Sequence, residues 1–225
     1  MALNSDLIEP GDMTLDELRL FLAPDIADAA VFDGWTGEAV DAAAAAAGVD
    51  ASVARLAFKG GAMDMIAAWI GSVDQAMVEA LPAERLAEMK VRERIRALVQ
   101  FRLDAIDGRD EALRRAMSIM AMPQNGARSL QLGWNSADLM WRLAGDTATD
   151  YNHYSKRVIL AGIYSATLAH FVQDESDNKS ATSAFLERRI DGVMQFEKVK
   201  AKLLKPGVER FSITRFLGRM RYPAR

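Results

Sequence analysis

The chain has 225 residues, half of them hydrophobic, with 6 Pro and no Cys. That length suits one all-helical domain or a small head on a larger body, and the missing Cys excludes a disulfide framework, a thiol nucleophile and a Cys-ligated metal. The formal net charge of -3 hides a division along the chain: residues 1–64 carry twelve acids against Arg19, Arg55 and Lys59, whereas residues 195–225 carry nine bases against Glu197 and Glu209. Abundant Ala and few β-branched runs favour packed helices over a sheet.

Thr14-Leu-Asp-Glu17 reads as a capping box, in which the Thr14 hydroxyl and the Glu17 carboxylate serve each other's free amides at a helix start. Leu15, Leu18, Leu22, Ile26 and Ala29 follow as an apolar stripe, with Pro24 expected to kink or restart the helix. Gly34-Trp35-Thr36 supplies a turn and an N-cap for a short Ala-rich helix over 37–47. Gly48-Val49-Asp50 then breaks the chain before a second short helix over 51–58. Two short helices meeting at a Gly turn outline a helix-turn-helix. A DNA-reading role fits this outline poorly, because phosphate contacts use Lys, Arg or backbone amides and the second helix offers only Arg55 and Lys59 within a strongly acidic region.

Gly60-Gly61 opens a longer helix over 62–80, with Met65, Ala68, Trp69, Ser72, Ala76 and Val78 expected on its buried side and Pro82 ending it. The next helix, read as continuous over 83–106, places Val91, Ile95, Leu98, Val99, Arg102, Leu103 and Ile106 at helical spacing. Helices over 109–122, 129–144, 152–174 and 181–204 follow, separated by Gly108, Pro123-Gln-Asn-Gly126, Gly145 to Asp150 and the polar stretch 175–179. Phe185, Ile190, Val193, Phe196 and Val199 are expected to face inward on the last of them.

Pro206-Gly207 reads as a hinge. Beyond it, Ile213, Phe216, Leu217 and Met220 share one helical face, with Arg215 and Arg219 opposite. These six residues suit a membrane surface, apolar side in the headgroup boundary and cations on anionic lipid. The same spacing also serves a helix folded back on the body.

Catalytic constellations are scarce. His153 could pair with Asp150 as base and orienter, but no nucleophile, Gly-rich phosphate loop or metal-ligand spacing accompanies it. His170, inside an apolar run, reads as a satisfied core or rim histidine. The expectation is a protein with no catalytic residues, metal or cofactor. Met117, Met120, Met122, Trp134, Met140, Trp141 and Phe171 fall on adjacent helices, and Met-rich walls adapt to an irregular apolar guest. For any one of these residues a plain core is the simpler reading, and the pattern does not separate a filled core from a lined cavity. The longest apolar run, 158–172, falls short of the roughly 20 residues of a bilayer span.

The region from Arg115 to Asp174 has a specific order of residues: Arg115-Ala-Met-Ser-Ile, Met122-Pro-Gln-Asn125, Met140-Trp-Arg-Leu-Ala-Gly-Asp146, Thr149-Asp-Tyr-Asn-His-Tyr154 and Lys156-Arg157, then Ile163-Tyr164 and, further on, Phe185-Leu-Glu-Arg-Arg189. This order resembles the ninth Coq protein family, lipid-binding accessory proteins of ubiquinone (coenzyme Q) biosynthesis, over roughly residues 28–204. The resemblance implies an all-α, TetR-like fold. Residues 1–61 would form a helix-turn-helix-like subdomain, 62–205 a helical lipid-binding body and 206–225 an amphipathic membrane-contacting tail. It implies a non-catalytic protein that holds isoprenoid quinone intermediates or phospholipid in an apolar cavity, shielding the tail while leaving the ring reachable.

Under that resemblance the lipid-contacting candidates are Trp69, Met117, Met120, Trp134, Met140, Trp141, Ile163 and Phe171. The partner is the demethoxyubiquinone hydroxylase, with other ubiquinone-biosynthesis proteins, met at Met140, Asp150, His153, Tyr154 and Arg157. Where the family usually has Trp-Tyr, this chain has His153-Tyr154, so the larger anchor is absent. A homodimer paired through the last two long helices, no nucleic acid and a peripheral place on a membrane are also implied. The acidic, Arg-poor amino terminus reads as neither a secretory signal nor a mitochondrial presequence. The expected place is therefore the cytoplasmic face of a bacterial inner membrane, or the mitochondrial matrix side in a eukaryote. The alternative function is a ligand-responsive TetR-type DNA-binding regulator.

Overall fold

A computed structural model describes residues 10–149 and 151–203, leaving aside the side chains of Tyr151 and of 193–203. Among the described residues there is no strand. Ten α-helices run α1 Leu15–Asp33, α2 Gly37–Ala47, α3 Ala51–Ala57, α4 Ala62–Ala80, α5 Ala83–Ala87, α6 Val91–Asp104, α7 Asp110–Met120, α8 Gly126–Leu143, α9 Tyr151–Phe171 and α10 Ser180–Leu203, with short 3-10 turns at Pro10–Asp12, Pro123–Asn125 and Asp177–Lys179. By contacts the chain divides into the units Met1–Glu187 and Arg188–Arg225. The division does not fall between the head and the body.

The first helix begins as its sequence dictates: Glu17 N–H donates to the Thr14 hydroxyl at 3.3 Å and the Thr14 amide donates to the Glu17 carboxylate at 2.8 Å. Pro24 does not restart the chain as a second element, since α1 continues through it. Proline in a helix interior costs about 3 kcal/mol, yet here it sits on the exposed side while Leu22, Ala23, Ile26 and Ala27 on the other side are buried. Tertiary packing outweighs the lost amide bond.

Helix α1 is the hub of the head, lying against α2, α3, α4 and α7. Its C-terminal turn carries Trp35, whose indole N–H donates to the Ala112 carbonyl at 2.9 Å and whose ring lies 5.3 Å from that of Trp69. A head residue is therefore bonded to α7 and packed on α4.

Two further expectations change. On α4 the buried stripe holds Met65, Ala68 and Trp69 but continues through Val73 and Met77, leaving Ala76 and Val78 exposed. The helix read over 83–106 is two helices, broken at Glu88 to Lys90, where Lys90 takes an extended conformation and its amide donates to the Glu93 carboxylate at 3.0 Å. Arg94 holds the break, donating to the Met89 and Ala87 carbonyls at 2.9 and 3.0 Å and to Ala144 at the end of α8 at 2.8 Å. The tail, including Ile213, Arg215, Phe216, Leu217, Arg219 and Met220, lies outside the described residues.

Candidate functional site

Five helices of the first unit, α4, α6, α7, α8 and α9, enclose a cavity of about 340 Å³. The reason lies in their inward residues. Helix α7 contributes small Ala116 beside Met117 and Met120, and α8 contributes Gly133. A Cβ placed on Gly133 would meet nothing within 4 Å. Short side chains facing each other across a helix bundle leave space that neighbouring large ones do not fill. Ile66, Trp69, Val73, Ile106 and Leu113 are buried parts of its wall, while Leu130, 78% exposed, and the exposed Ala121 and Ser165 also line it.

One place in the wall is polar. Arg102 of α6 is 2% exposed and ion-paired with Asp74 of α4. Ser136 of α8 donates to Asp74 at 3.1 Å, and the Arg102 guanidinium lies 4.9 Å from the ring centre of Tyr164 on α9. Arg102 Nε is the buried side-chain nitrogen left without a hydrogen-bond partner among the described residues.

Of the residues expected to contact lipid, Trp69, Met117 and Met120 line this cavity. Trp134, Met140, Trp141, Ile163 and Phe171 do not, because they lie on other faces of their helices. Met140 and Phe171 are core residues. Trp141 donates from its indole to the Lys156 carbonyl at 3.0 Å, with the Lys156 ammonium 5.3 Å from its ring centre. Trp134 packs in an aromatic group, 6.0 Å from Tyr154 and 6.3 Å from His153. Arg102, Ser136 and Tyr164 were not among the sequence candidates. An Arg at a helical spacing otherwise occupied by apolar residues was their one signal.

The α8–α9 turn explains much of the dense sequence string. Arg157, 2% exposed, bonds Asp138 through Nε, and its Nη1 donates to Asp146 and to the His153 carbonyl, both at 3.0 Å. Lys156 donates to the other Asp146 oxygen at 2.6 Å. Burial alone would raise the Asp146 carboxyl; the bonds from Lys156 and Arg157 outweigh it and hold it below the ordinary carboxylate value. Burial would likewise lower Arg157, and its carboxylate partners raise it instead.

Met140 and Arg157 are therefore buried supports and present no side chain to a partner. What they support is exposed: Tyr154 at 60% and Val158 at 60% on α9. His153 is half-buried, packed 5.1 Å from Tyr154, with Nδ1 facing the Ala148 carbonyl at 2.9 Å. Since a carbonyl only accepts, that nitrogen carries the proton. Asp150 lies outside the described residues.

Elsewhere, His170 bonds the Thr182 hydroxyl at 3.1 Å and stacks on Phe185. Among the described residues no cluster of three or more His, Cys, Asp or Glu is arranged to hold a metal ion, and no helix is long and apolar enough to cross a membrane. In the helix-turn-helix outline, Arg55 of α3 is bonded to Asp41 of α2 at 2.7 Å. One of the two cations available for a phosphate is thereby engaged within the head.

Residues 126–197 match the family described as COQ9. The chain is 34% identical over 169 residues to "Ubiquinone biosynthesis protein COQ9, mitochondrial" of Rattus norvegicus, covering 72% of this chain and 54% of that protein. It is 33% identical to the protein of the same name from Homo sapiens, covering 72% and 52%. It is 25% identical to "Probable ubiquinone biosynthesis protein coq9, mitochondrial" of Dictyostelium discoideum, covering 74% and 56%. The chain thus spans about half the length of these curated relatives. Among solved structures it resembles the TetR transcriptional regulator from Nitrosomonas europaea, with a TM-score of 0.63 and 20% identity over 80% of this chain and 99% of the other. That identity speaks for the fold alone, which is all-α and TetR-like.

Proposed function

From the premise that this chain belongs to the COQ9 family, we propose that it acts in ubiquinone biosynthesis as a non-catalytic lipid-binding protein serving demethoxyubiquinone hydroxylase at a membrane. The observation that carries this reading is the cavity walled by Trp69, Met117 and Met120. An isoprenoid chain costs about 3–4 kcal/mol per five-carbon unit to hold in water, at roughly 0.8 kcal/mol per buried carbon group. A hollow with apolar walls offsets that cost.

The hydroxylase would meet the exposed side of the α8–α9 pair at Tyr154 and the adjoining His153, with Met140 and Arg157 acting from beneath. Residues 213–220 would rest on the bilayer. Because the curated relatives are named as mitochondrial, the proposed membrane is the one facing the mitochondrial matrix, or the inner membrane of a bacterium.

Mass spectrometry of apolar extracts from the purified full chain tests the central claim: bound isoprenoid or phospholipid is expected. A lipid-free protein with no measurable affinity for quinones would refute it. Deleting residues 207–225 is expected to reduce binding to anionic vesicles, measured by flotation.

A further inference from the structure

Helix α7 faces two ways. Leu113, Ala116, Met117 and Met120 fall at helical spacing and form one stripe that lines the cavity. A second side is tied to the end of α1 and the turn that follows it. Arg109, at the start of α7, donates through Nε and Nη2 to the two oxygens of Asp28, at 2.5 and 2.9 Å. The Ala112 carbonyl accepts from the Trp35 indole at 2.9 Å, and Arg115 Nη1 donates to the Phe32 carbonyl at 3.1 Å. Successive turns of α7 are thus bonded to the head.

Helix α4 has the same double role. Its Trp69 lines the cavity with the ring 5.3 Å from that of Trp35, and at Gly71 the helix runs so close to α1 that a Cβ would stand 3.0 Å from Leu20 Cδ2. Trp35 itself is 4% exposed and lines no part of the cavity, yet it is packed on one wall helix and bonded to another.

We infer that the head senses the cavity through these ties: an apolar ligand that fills the hollow firms α7 and α4, and through them the α1–α2 junction over residues 28–36. A wall that faces unfilled space lacks the dispersion contacts a packed neighbour supplies. A helix left short of contacts on one side opens locally at lower free energy, and the groups bonded to its other side open with it. A ligand restores contacts along Met117, Met120 and Trp69. Rigidity gained there is shared with the head, which couples the two sites without a large displacement. Such coupling is reciprocal, so whatever grips the head in its firm state also raises affinity for the ligand.

The trigger rests on the lipid-binding reading, whereas the coupling can be tested apart from it. Full-length protein would be followed by hydrogen exchange and mass spectrometry with and without farnesol, an acyclic isoprenoid alcohol, its uptake checked by native mass spectrometry. Farnesol should slow exchange over 66–77 and 113–121 in the cavity wall, and over 28–47 in the head by about fivefold or more, the lower end of ordinary coupling between sites. Any ligand of the native state also slows amides that exchange only on global unfolding, so a variant must separate the two effects. Trp35→Phe keeps a ring beside Trp69 and removes the N–H bonded to Ala112; Arg109→Gln, added to it, removes the pair with Asp28. This double variant should keep the protection of the wall segments and lose that of 28–47. Should it not fold, Arg109→Gln alone carries the comparison.

Gly133→Leu supplies a second route, since it adds apolar bulk to the cavity wall from α8 with no ligand present. Protection over 28–47 should then appear without farnesol, and disappear when Trp35→Phe and Arg109→Gln are added. Protection confined to the wall segments, in loaded native protein and in Gly133→Leu alike, would overturn the coupling and leave the lipid-binding reading standing. Head protection that persists unchanged once the ties are cut is global stabilisation and would overturn it equally. If native protein takes up no farnesol while Gly133→Leu still firms the head, the lipid-binding reading fails and the coupling stands.

Discussion

Gly34 has φ 72 and ψ -176, a backbone region that residues with a Cβ occupy only at a cost of about 1–3 kcal/mol. A Cβ there would also come within 3.2 Å of Arg115 Nη1, which donates to the Phe32 carbonyl at 3.1 Å. Gly34→Ala should therefore lower the unfolding free energy by about 2 kcal/mol, read from denaturant melts, because the turn that places Trp35 on α4 and α7 is strained. Asp174 accepts from the Ser176 and Thr182 hydroxyls at 2.6 Å each and from both backbone amides. These bonds, the Ser176 hydroxyl first, hold its carboxyl well below the ordinary range. A depressed folded pKa means that the stabilisation is complete above the unfolded value near pH 4. It is lost as pH falls below that toward the folded value. Asp174→Asn should cost about 1–3 kcal/mol at neutral pH and flatten the decline of the melting temperature between roughly pH 4 and pH 2.

Helix periodicity found most elements because each α-helix here packs one side on its neighbours, and the bounds of the helices at 37–47 and 62–80 agree with the structure. The break between α5 and α6 was not legible. No Gly or Pro marks Ala87 to Val91, and the chain turns there because Arg94 reaches three carbonyls including that of Ala144. Such a clamp depends on where α8 ends in space, which local sequence does not encode. The same bond explains Gly145, at φ 84 with Arg94 Nη1 3.1 Å from where a Cβ would sit. Arg94→Ala leaves those carbonyls short of donors, and hydrogen bonds from a charged group are worth about 1.5–3 kcal/mol net. A loss near 2 kcal/mol is expected in chemical denaturation, with Arg94→Lys recovering only part of it, since an ammonium lacks the planar spread that reaches three acceptors. The partner-facing candidates divide on the same ground. Arg157 is held by Asp138 and Asp146 inside the α8–α9 turn, so its removal would unfold what Tyr154 stands on.

The family likeness and the all-α fold were readable from residue order, but the cavity was not. Periodicity identifies which residues face inward without saying whether the inward residues of five helices fill the space between them. Large side chains drew the eye to Trp134, Met140 and Trp141, whereas the hollow is made by the small ones, Ala116 and Gly133. Gly133 offers a test that separates folding from function. It lies within α8 with open space where its Cβ would be. Replacing a helical Gly by Ala stabilises by about 0.4–1 kcal/mol, chiefly by restricting the unfolded chain. Gly133→Ala should thus raise the melting temperature and spare ligand uptake. Gly133→Leu adds further carbons into the hollow, each apolar group removed from water contributing about 0.8 kcal/mol where it fits. That variant should be at least as stable as the native protein in thermal melts, yet co-purify with markedly less extractable lipid. If Gly133→Leu retained its lipid in full while melting higher, the ligand would have to sit somewhere other than between α4, α7 and α8. A protein that becomes firmer as it loses its cargo would instead mean that the hollow is kept open at a cost in stability.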